Sequence, residues 1–112
     1  MSDITDFLIL LLISNRDYYA YELISDIENL SDGCISVNSN TVYTALYRLE
    51  NSGCIREYSV RVGRKRTRVY YSIEQPGMDQ LLELYKEYKR TKNGIDSIID
   101  KLKITKESNE NE

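Results

Sequence analysis

Apolar positions recur at helical spacing in the N-terminal half of this chain, and β-rich runs and a heptad repeat follow further on. Residues 4–53 hold three segments with apolar side chains at helical spacing. Residues 55–73 hold two short runs rich in β-branched residues and tyrosine, and a heptad repeat begins at residue 78. The pattern predicts three helices, a β-hairpin and a long C-terminal helix. A helix followed by a hairpin with a basic tip is typical of a winged helix-turn-helix.

The first predicted helix is apolar on nearly every side, with Ser2 or Asp3 as its N-cap. Ile4, Phe7, Leu8, Leu11 and Leu12 form one stripe, and Ile9, Leu10 and Ile13 lie outside it. Such a helix has to be buried on more than one face, and a chain of 112 residues is too small to surround it. We therefore expect part of this helix to pack on another subunit. The alternative is a wholly internal core helix.

Two further helices are predicted before the hairpin. The polar segment 14–19 breaks the first pattern, and a second helix is expected over residues 20–30. After a turn at residues 31–38, Ser39 is the predicted N-cap of a third helix, which ends near Gly53 at the C′ position.

The two faces of the third predicted helix differ in chemistry. Helical spacing turns Val42, Ala45, Leu46 and Leu49 inward. The opposite face then carries Asn40, Thr41, Tyr43, Thr44, Tyr47 and Arg48. Side chains of these types form hydrogen bonds to base edges and phosphates in the major groove of DNA. A plain solvated face is the alternative.

The two β-rich runs, residues 55–62 and 67–73, are joined by a loop at residues 63–66, where Gly63 is available for a positive φ. Six cations and one carboxylate within residues 56–68 give a local charge of +5, whereas the rest of the chain carries −8 and the whole chain −3. A concentrated cationic patch on an acidic chain indicates an anionic partner. The alternative is a charged edge that prevents strand-to-strand aggregation.

The C-terminal pattern predicts a dimerisation helix that starts near Pro76. Its heptad positions are Met78, Leu81, Tyr85, Tyr88, Lys92, Ile95, Ile99 and Leu102. Lys92 interrupts this seam, and Gly94 weakens the helix. A helix of about 27 residues would reach roughly 40 Å, longer than so small a domain can cover. We therefore expect homodimerisation, with intramolecular packing as the alternative.

Composition narrows the possible functions. The chain has no histidine, and Cys34 and Cys54 stand apart without CxxC spacing, so a zinc site is not expected and an enzyme is disfavoured. Free thiols in a reducing cytoplasm are the simplest interpretation, with a redox switch as the alternative. The apolar run at residues 7–13 is too short for a membrane span. We predict no cofactor, no metal, no catalytic residue and a cytoplasmic location.

Four short segments form a set of motifs. Residues 19–23 read YAYEL, residues 41–50 read TVYTALYRLE, residues 53–55 read GCI and residues 68–73 read RVYYSI. In order and spacing they resemble the (H/Y)GYE(I/L), TLYxAL-x-RLE, G-L-I and RKYYxL motifs of the PadR family of bacterial winged-helix transcriptional regulators. The resemblance covers about residues 5–90.

The resemblance implies a homodimer that binds operator DNA, usually as a repressor, with Tyr43 and its helical neighbours in the groove. The short C-terminal region is similar to the compact branch of the family, in which one long helix completes the dimer. Some members release DNA when a phenolic or planar cationic molecule binds near the dimer interface. Because tryptophan is absent here, Tyr85, Tyr88, Phe7 or Tyr18 would have to line a substitute pocket.

Two further positions depart from the family pattern. Ala20 replaces the usual glycine, a small change that the fold should tolerate. Residues 74–77 (EQPG) replace the usual Thr-x-x-Gly, so the last helix is expected to start differently.

These observations predict a mainly α fold with a small β-hairpin. A winged helix-turn-helix DNA-binding domain is expected over residues 1–74, a dimerisation helix over 75–104 and a disordered tail over 105–112. Predicted DNA contacts on the third helix are Ser39, Asn40, Thr41, Tyr43, Thr44, Tyr47 and Arg48. Predicted wing contacts are Arg61, Arg64, Lys65, Arg66 and Arg68. The predicted dimer interface is Phe7, Leu8, Leu11, Leu81, Tyr85, Tyr88, Ile95, Ile99 and Leu102.

The predicted function is a sequence-specific transcriptional regulator: a homodimeric repressor of a palindromic double-stranded operator, released by a small aromatic ligand. The alternative is a winged-helix module that senses a ligand or binds a protein and does not read DNA. Clustered positive charge in the hairpin favours the first interpretation.

Overall fold

A computed structural model describes residues 4–103 of the chain. In chain order the elements are α1 (Ile4–Asn15), β1 (Tyr18–Tyr19), α2 (Ala20–Leu30), α3 (Ser39–Asn51), β2 (Ile55–Arg61), β3 (Thr67–Ile73) and α4 (Gln75–Leu102). The described residues divide after Leu82 into two compact units. The predicted caps Ser2 and Asp3, and the predicted tail 105–112, lie outside the described residues.

The core of the first unit is built from one apolar stripe on each element. The largest fully buried side chains are Ile9, Leu10, Ile13, Leu23, Val42, Leu46 and Ile55. Each contributes roughly 1.5–3 kcal/mol by leaving water, which is why helices this short are stable here and would be marginal alone. Ile4 and Leu11 stay exposed on α1, so α1 is not a wholly internal helix.

A three-stranded antiparallel sheet in the order β1-β3-β2 completes the unit. The hairpin prediction is confirmed, with β2 ending at Arg61 rather than Val62. The predicted break at residues 14–19 is present, since α1 ends at Asn15, but the strand Tyr18–Tyr19, which pairs with Tyr70 and Tyr71, was not predicted. Two residues are too few to show a strand period. Tyr18 and Tyr19 form a strand because they pair with the edge of β3 that β2 leaves open.

The ends of α3 are set by two local devices. Asn38, not Ser39, is the N-cap, because the Asn38 side chain accepts a hydrogen bond from the Thr41 N–H at 2.8 Å. Gly53 follows the C-cap with φ +78°, and the Cys54 N–H donates to the Leu49 carbonyl at 2.9 Å. This arrangement is a Schellman motif and confirms Gly53 at C′.

The start of α4 is locked to the start of β2. The Cys54 carbonyl accepts a hydrogen bond from the Glu74 N–H at 2.9 Å. A Cβ atom at Gly77 would collide with that same carbonyl oxygen, so only glycine allows this approach. The helix begins at Gln75, one residue before the predicted Pro76, and it continues unbroken through Gly94.

The fold class is therefore as predicted: mainly helical, with a small sheet and a long C-terminal helix. The sheet has one strand more than the hairpin alone. No helix in residues 4–103 is long and apolar enough to cross a membrane.

Candidate nucleic-acid interface

One face of α3 is packed and the opposite face is open. Val42, Ala45, Leu46 and Leu49 are buried, as predicted. The opposite face exposes Asn40, Thr41, Tyr43, Thr44, Tyr47 and Arg48. Tyr47 is 70% exposed, an unusual solvent fraction for a large aromatic side chain on a well-packed helix. The open face therefore offers hydroxyl, amide and phenol groups on a rigid support.

Arg48 is the one cation on this face of α3, and its charge is already compensated. Its Nη2 lies 2.6 Å from Asp6 Oδ1, and its Nε lies 3.3 Å from Asp6 Oδ2. The Asp6 side chain is only 15% exposed, so water screens this pair less than a fully exposed pair. The pair joins α1 to α3 across 42 residues of sequence, which sequence inspection did not reveal.

The tip of the β2–β3 hairpin presents bare positive charge. The Val62 N–H donates to the Arg66 carbonyl at 3.0 Å and closes the turn. Arg64, Lys65 and Arg66 are exposed, and none of them forms an ion pair within residues 4–103. We call these three residues the wing tip.

The other two predicted wing cations are engaged inside the wing. Arg61 donates to the carbonyls of Gly63 at 3.4 Å and Arg64 at 2.6 Å, so its guanidinium braces the turn. Arg68 is half-buried, and its guanidinium carbon lies 4.2 Å from the centre of the Tyr19 ring. Such a cation–π contact keeps the charge but restricts its reach. The geometry thus separates the wing tip from two cations with structural partners.

A row of tyrosines across the three strands stiffens the base of the wing. Tyr70, in the central strand, stacks on Tyr58 with ring centres 5.8 Å apart and meets Tyr19 edge-on at 5.4 Å. The Tyr58 hydroxyl donates to Asp17 Oδ2 at 2.5 Å, a bond that raises the pKa of Tyr58. The hairpin is therefore anchored to the segment that precedes β1.

A groove of about 310 Å³ lies between the start of α2, the exposed face of α3 and the edge of β3. We call it the tyrosine groove. Its lining residues are Tyr19, Ala20, Tyr21, Tyr43, Glu57, Thr67, Arg68, Val69 and Tyr71. Tyr43 and Arg68 were predicted DNA contacts, whereas Tyr21 and Tyr71 were not. Their motifs were visible in the sequence, but nothing there indicated that residues 50 positions apart share a groove.

The predicted dimer residues fall into two groups. Phe7 and Leu81 are buried within the chain, and Leu8 and Ile99 are half-buried. Exposed apolar or aromatic positions are Leu11, Tyr85, Tyr88, Ile95 and Leu102. On α4, Lys92 in the predicted seam pairs with Asp96 at 2.9 Å, which raises the pKa of Lys92.

Because the chain has no histidine, its cysteine and carboxylate side chains are the possible metal ligands. Residues 4–103 contain no group of three or more His, Cys, Asp or Glu side chains placed to hold a metal ion. Cys34 is exposed, Cys54 is buried, and both are free thiols.

Known proteins share both the sequence pattern and the fold. Residues 9–83 match the model of the transcriptional regulator PadR-like family. An uncharacterized protein of Lysinibacillus sphaericus is 34% identical over 97 residues, which is 87% of this chain and 89% of that protein.

Two solved structures illustrate the likeness. A transcriptional regulator from Clostridium thermocellum is 29% identical, with a TM-score of 0.79 over 85% of this chain and 92% of that one. PadR of Bacillus subtilis, solved in complex with operator DNA, is 19% identical and shares the fold, with a TM-score of 0.69 over 74% of this chain and 47% of that one. The matched family model covers most of the first unit and both candidate DNA-contact surfaces. This chain therefore belongs to the PadR-like family of transcriptional regulators.

Proposed function

We propose that this protein is a homodimeric repressor that binds a palindromic operator and releases it when a small aromatic ligand binds. One observation carries the proposal: an uncompensated cationic wing tip and an exposed polar face of α3 occur in the same compact unit. Neither surface is explained by the packing of the chain itself. Double-stranded DNA is a partner that matches both, because it offers phosphates and base edges together.

The α3 face is proposed to enter the major groove. Contacts would come from Ser39, Asn40, Thr41, Tyr43, Thr44 and Tyr47, with Arg48 held beside them by Asp6. An asparagine on such a face can bond to both N6 and N7 of adenine, and hydroxyls accept or donate to several bases. The buried side of α3 keeps this face from rotating, so the contacts read sequence and not only charge.

The wing tip is proposed to bind phosphate or reach the adjacent minor groove. Arg64, Lys65 and Arg66 would supply most of the electrostatic attraction, since Arg61 and Arg68 already have partners within the wing. Arg68 remains close enough to the tyrosine groove to contribute there.

A second copy of the chain is proposed to cover the exposed apolar positions on α1 and α4. Leu11 is 39% exposed, and Tyr85, Tyr88, Ile95 and Leu102 are exposed at helical spacing on α4. Two-fold symmetry would then present two α3 faces to half-sites about one helical turn, ~34 Å, apart. A planar aromatic ligand could stack on Tyr85 and Tyr88. The proposal places the protein in the cytoplasm, without an enzymatic activity.

A gel-shift titration tests the DNA-binding part of the proposal. The probe is a duplex from the region upstream of the protein's own gene, and the control is a duplex of the same composition with shuffled sequence. We expect the upstream duplex to shift at a concentration at least ~10³-fold lower than the shuffled one at physiological salt. No shift with either duplex would favour a ligand-sensing or protein-interaction module.

Replacing Tyr88 and Ile95 together by glutamate tests the dimer. Two buried carboxylates at the centre of the seam should prevent association, and light scattering should then give the monomer mass. Replacing the exposed Lys86 and Arg90, which lie outside the heptad positions, by glutamine is the matched control and should leave the dimer intact. A Tyr88→Glu, Ile95→Glu variant that remains dimeric would contradict the heptad assignment.

A further inference from the structure

We propose that the tyrosine groove binds one backbone phosphate of the operator, with the hydroxyl of Tyr71 as a donor and Tyr21 and Tyr43 as its companions. This inference rests on the proposed function, because it needs DNA at the α3 face and the wing. It assigns a third contact surface, which shares only Tyr43 with the α3 face and contains no residue of the wing tip.

Tyr71 is the most buried of the tyrosines that line the groove, and its hydroxyl still reaches solvent. Only 7% of the residue is exposed, and its hydroxyl forms no hydrogen bond within residues 4–103, where no buried side-chain oxygen lacks a partner, so the hydroxyl itself is in contact with solvent. A phenol hydroxyl that bonds only to water can exchange that water for an acceptor oxygen of a ligand. Tyr71 lines the tyrosine groove, which is therefore the place where an external acceptor can reach it.

The Tyr71 hydroxyl stays protonated in this setting. Burial raises its pKa, and the nearby carboxylates of Glu57 and Glu50 and the phenol of Tyr43 raise it further. A protonated phenol donates to an anionic oxygen, which is what a phosphate presents.

The position of the groove makes the DNA backbone the fitting source of that oxygen. Its lining includes Tyr43 from the α3 face together with Thr67 and Arg68 from β3. A duplex that contacts both surfaces has to carry its backbone across the space between them. Tyr21, in the first turn of α2, lines this space and is 71% exposed, so its hydroxyl is open to a partner.

The charge of the groove argues against a site for free phosphate. Its lining contains one cation, Arg68, and one carboxylate, Glu57. Binding would therefore depend on neutral hydroxyl donors, each of them modest in strength. A backbone phosphate overcomes this weakness, because contacts at α3 and the wing tip already hold the duplex in place.

The test uses the full chain with three phenylalanine substitutions and the same upstream and shuffled duplexes. Tyr71→Phe and Tyr21→Phe each remove one hydroxyl, and Tyr70→Phe is the matched control. Tyr70 is the neighbour of Tyr71 in β3, but it belongs to the tyrosine row and not to the groove lining. Tyr21 is exposed, so its variant folds even if Tyr71→Phe loosens the unit.

We expect Tyr71→Phe and Tyr21→Phe to weaken binding of both duplexes by about fivefold to tenfold, and Tyr70→Phe to bind as the unmodified chain does. The slope of log affinity against log salt should stay unchanged, because a neutral donor releases no counterion. A variant that weakens binding only because its fold is loosened would also have a lower midpoint of thermal unfolding. For Tyr21→Phe we expect this midpoint to equal that of the Tyr70→Phe control within experimental error.

Two results would overturn the inference in distinguishable ways. If the unmodified chain binds both duplexes and neither groove variant weakens them, the phosphate site is absent and the proposed function stands. If the unmodified chain binds neither duplex, the proposed function fails, and the phosphate site fails with it. Equal weakening by Tyr70→Phe would assign the effect to the sheet and not to the groove.

Discussion

The α3 face and the wing tip, the two proposed contact surfaces for DNA, differ in the chemistry that they offer to a partner. On α3, four buried side chains fix the helix, polar groups cover the open face, and the one cation there is paired with Asp6. In the wing, three adjacent cations stand without ion pairs in the described part of the chain. One surface offers shape and hydrogen bonds, and the other offers charge. The first is suited to reading sequence and the second to strength of binding.

The α3 face and the wing tip also differ in the packing that supports them. The α3 face rests on the hydrophobic core, where Val42 and Leu46 are fully buried. The wing is anchored by contacts outside that core, among them the tyrosine row, the bond from Tyr58 to Asp17 and the contact of Arg68 with Tyr19. A rigid face keeps hydrogen-bond geometry, whereas a charge needs no fixed angle to attract a phosphate. The two surfaces therefore differ in packing as well as in side-chain chemistry.

The largest effect is expected from the wing. Changing Lys65 and Arg66 to alanine should weaken binding to upstream and shuffled duplexes alike, by about a hundredfold at low salt. It should also reduce the slope of log affinity against log salt by about 2. Gel-shift titrations at several salt concentrations measure both quantities. An unchanged slope would remove the wing tip from the phosphate contacts and break the comparison.

A smaller and selective effect is expected on α3. Changing the exposed Asn40 to alanine should weaken binding to the upstream duplex by about 1–2 kcal/mol, roughly fivefold to 30-fold, because one base contact is lost. The shuffled duplex should bind as before, because non-specific binding depends on charge. Glu28→Gln, an exposed change on α2, is the control for handling and expression. Equal losses on both duplexes would place Asn40 on the backbone instead.

The smallest effect should have the opposite sign. Asp6→Asn removes the negative charge that faces Arg48 on the α3 face, so both duplexes should bind about twofold to fivefold more tightly, with a salt slope steeper by at most ~1. Glu28→Gln changes the net charge by the same amount and leaves Arg48 paired, so it separates the local from the global effect. The free energy of unfolding of the Asp6→Asn variant should be lower by less than ~1 kcal/mol, as for most partly exposed ion pairs. If Glu28→Gln tightens binding as much as Asp6→Asn does, the effect comes from the net charge, which would contradict a local role for Asp6.

Local pattern was enough to predict most elements of the fold. The helical spacing of Val42, Ala45, Leu46 and Leu49 identified the buried side of α3, since each helix turn repeats after 3.6 residues whatever the partner. The hairpin followed from β-branched residues on both sides of a glycine-containing basic loop. The cap of α3 was misassigned by one residue because Asn38 and Ser39 are both good caps and only the bond to Thr41 decides between them.

What the sequence determined by itself is the order of elements, the two faces of α3 and the positive charge of the wing, because period and charge are properties of neighbouring residues. The tertiary structure alone decided which charges are free. It paired Arg48 with Asp6, placed Arg68 over Tyr19, made Tyr18–Tyr19 an edge strand and brought Tyr71 to the tyrosine groove. Each of these contacts joins residues far apart in the chain, and only the packing of the core brings them within bonding distance.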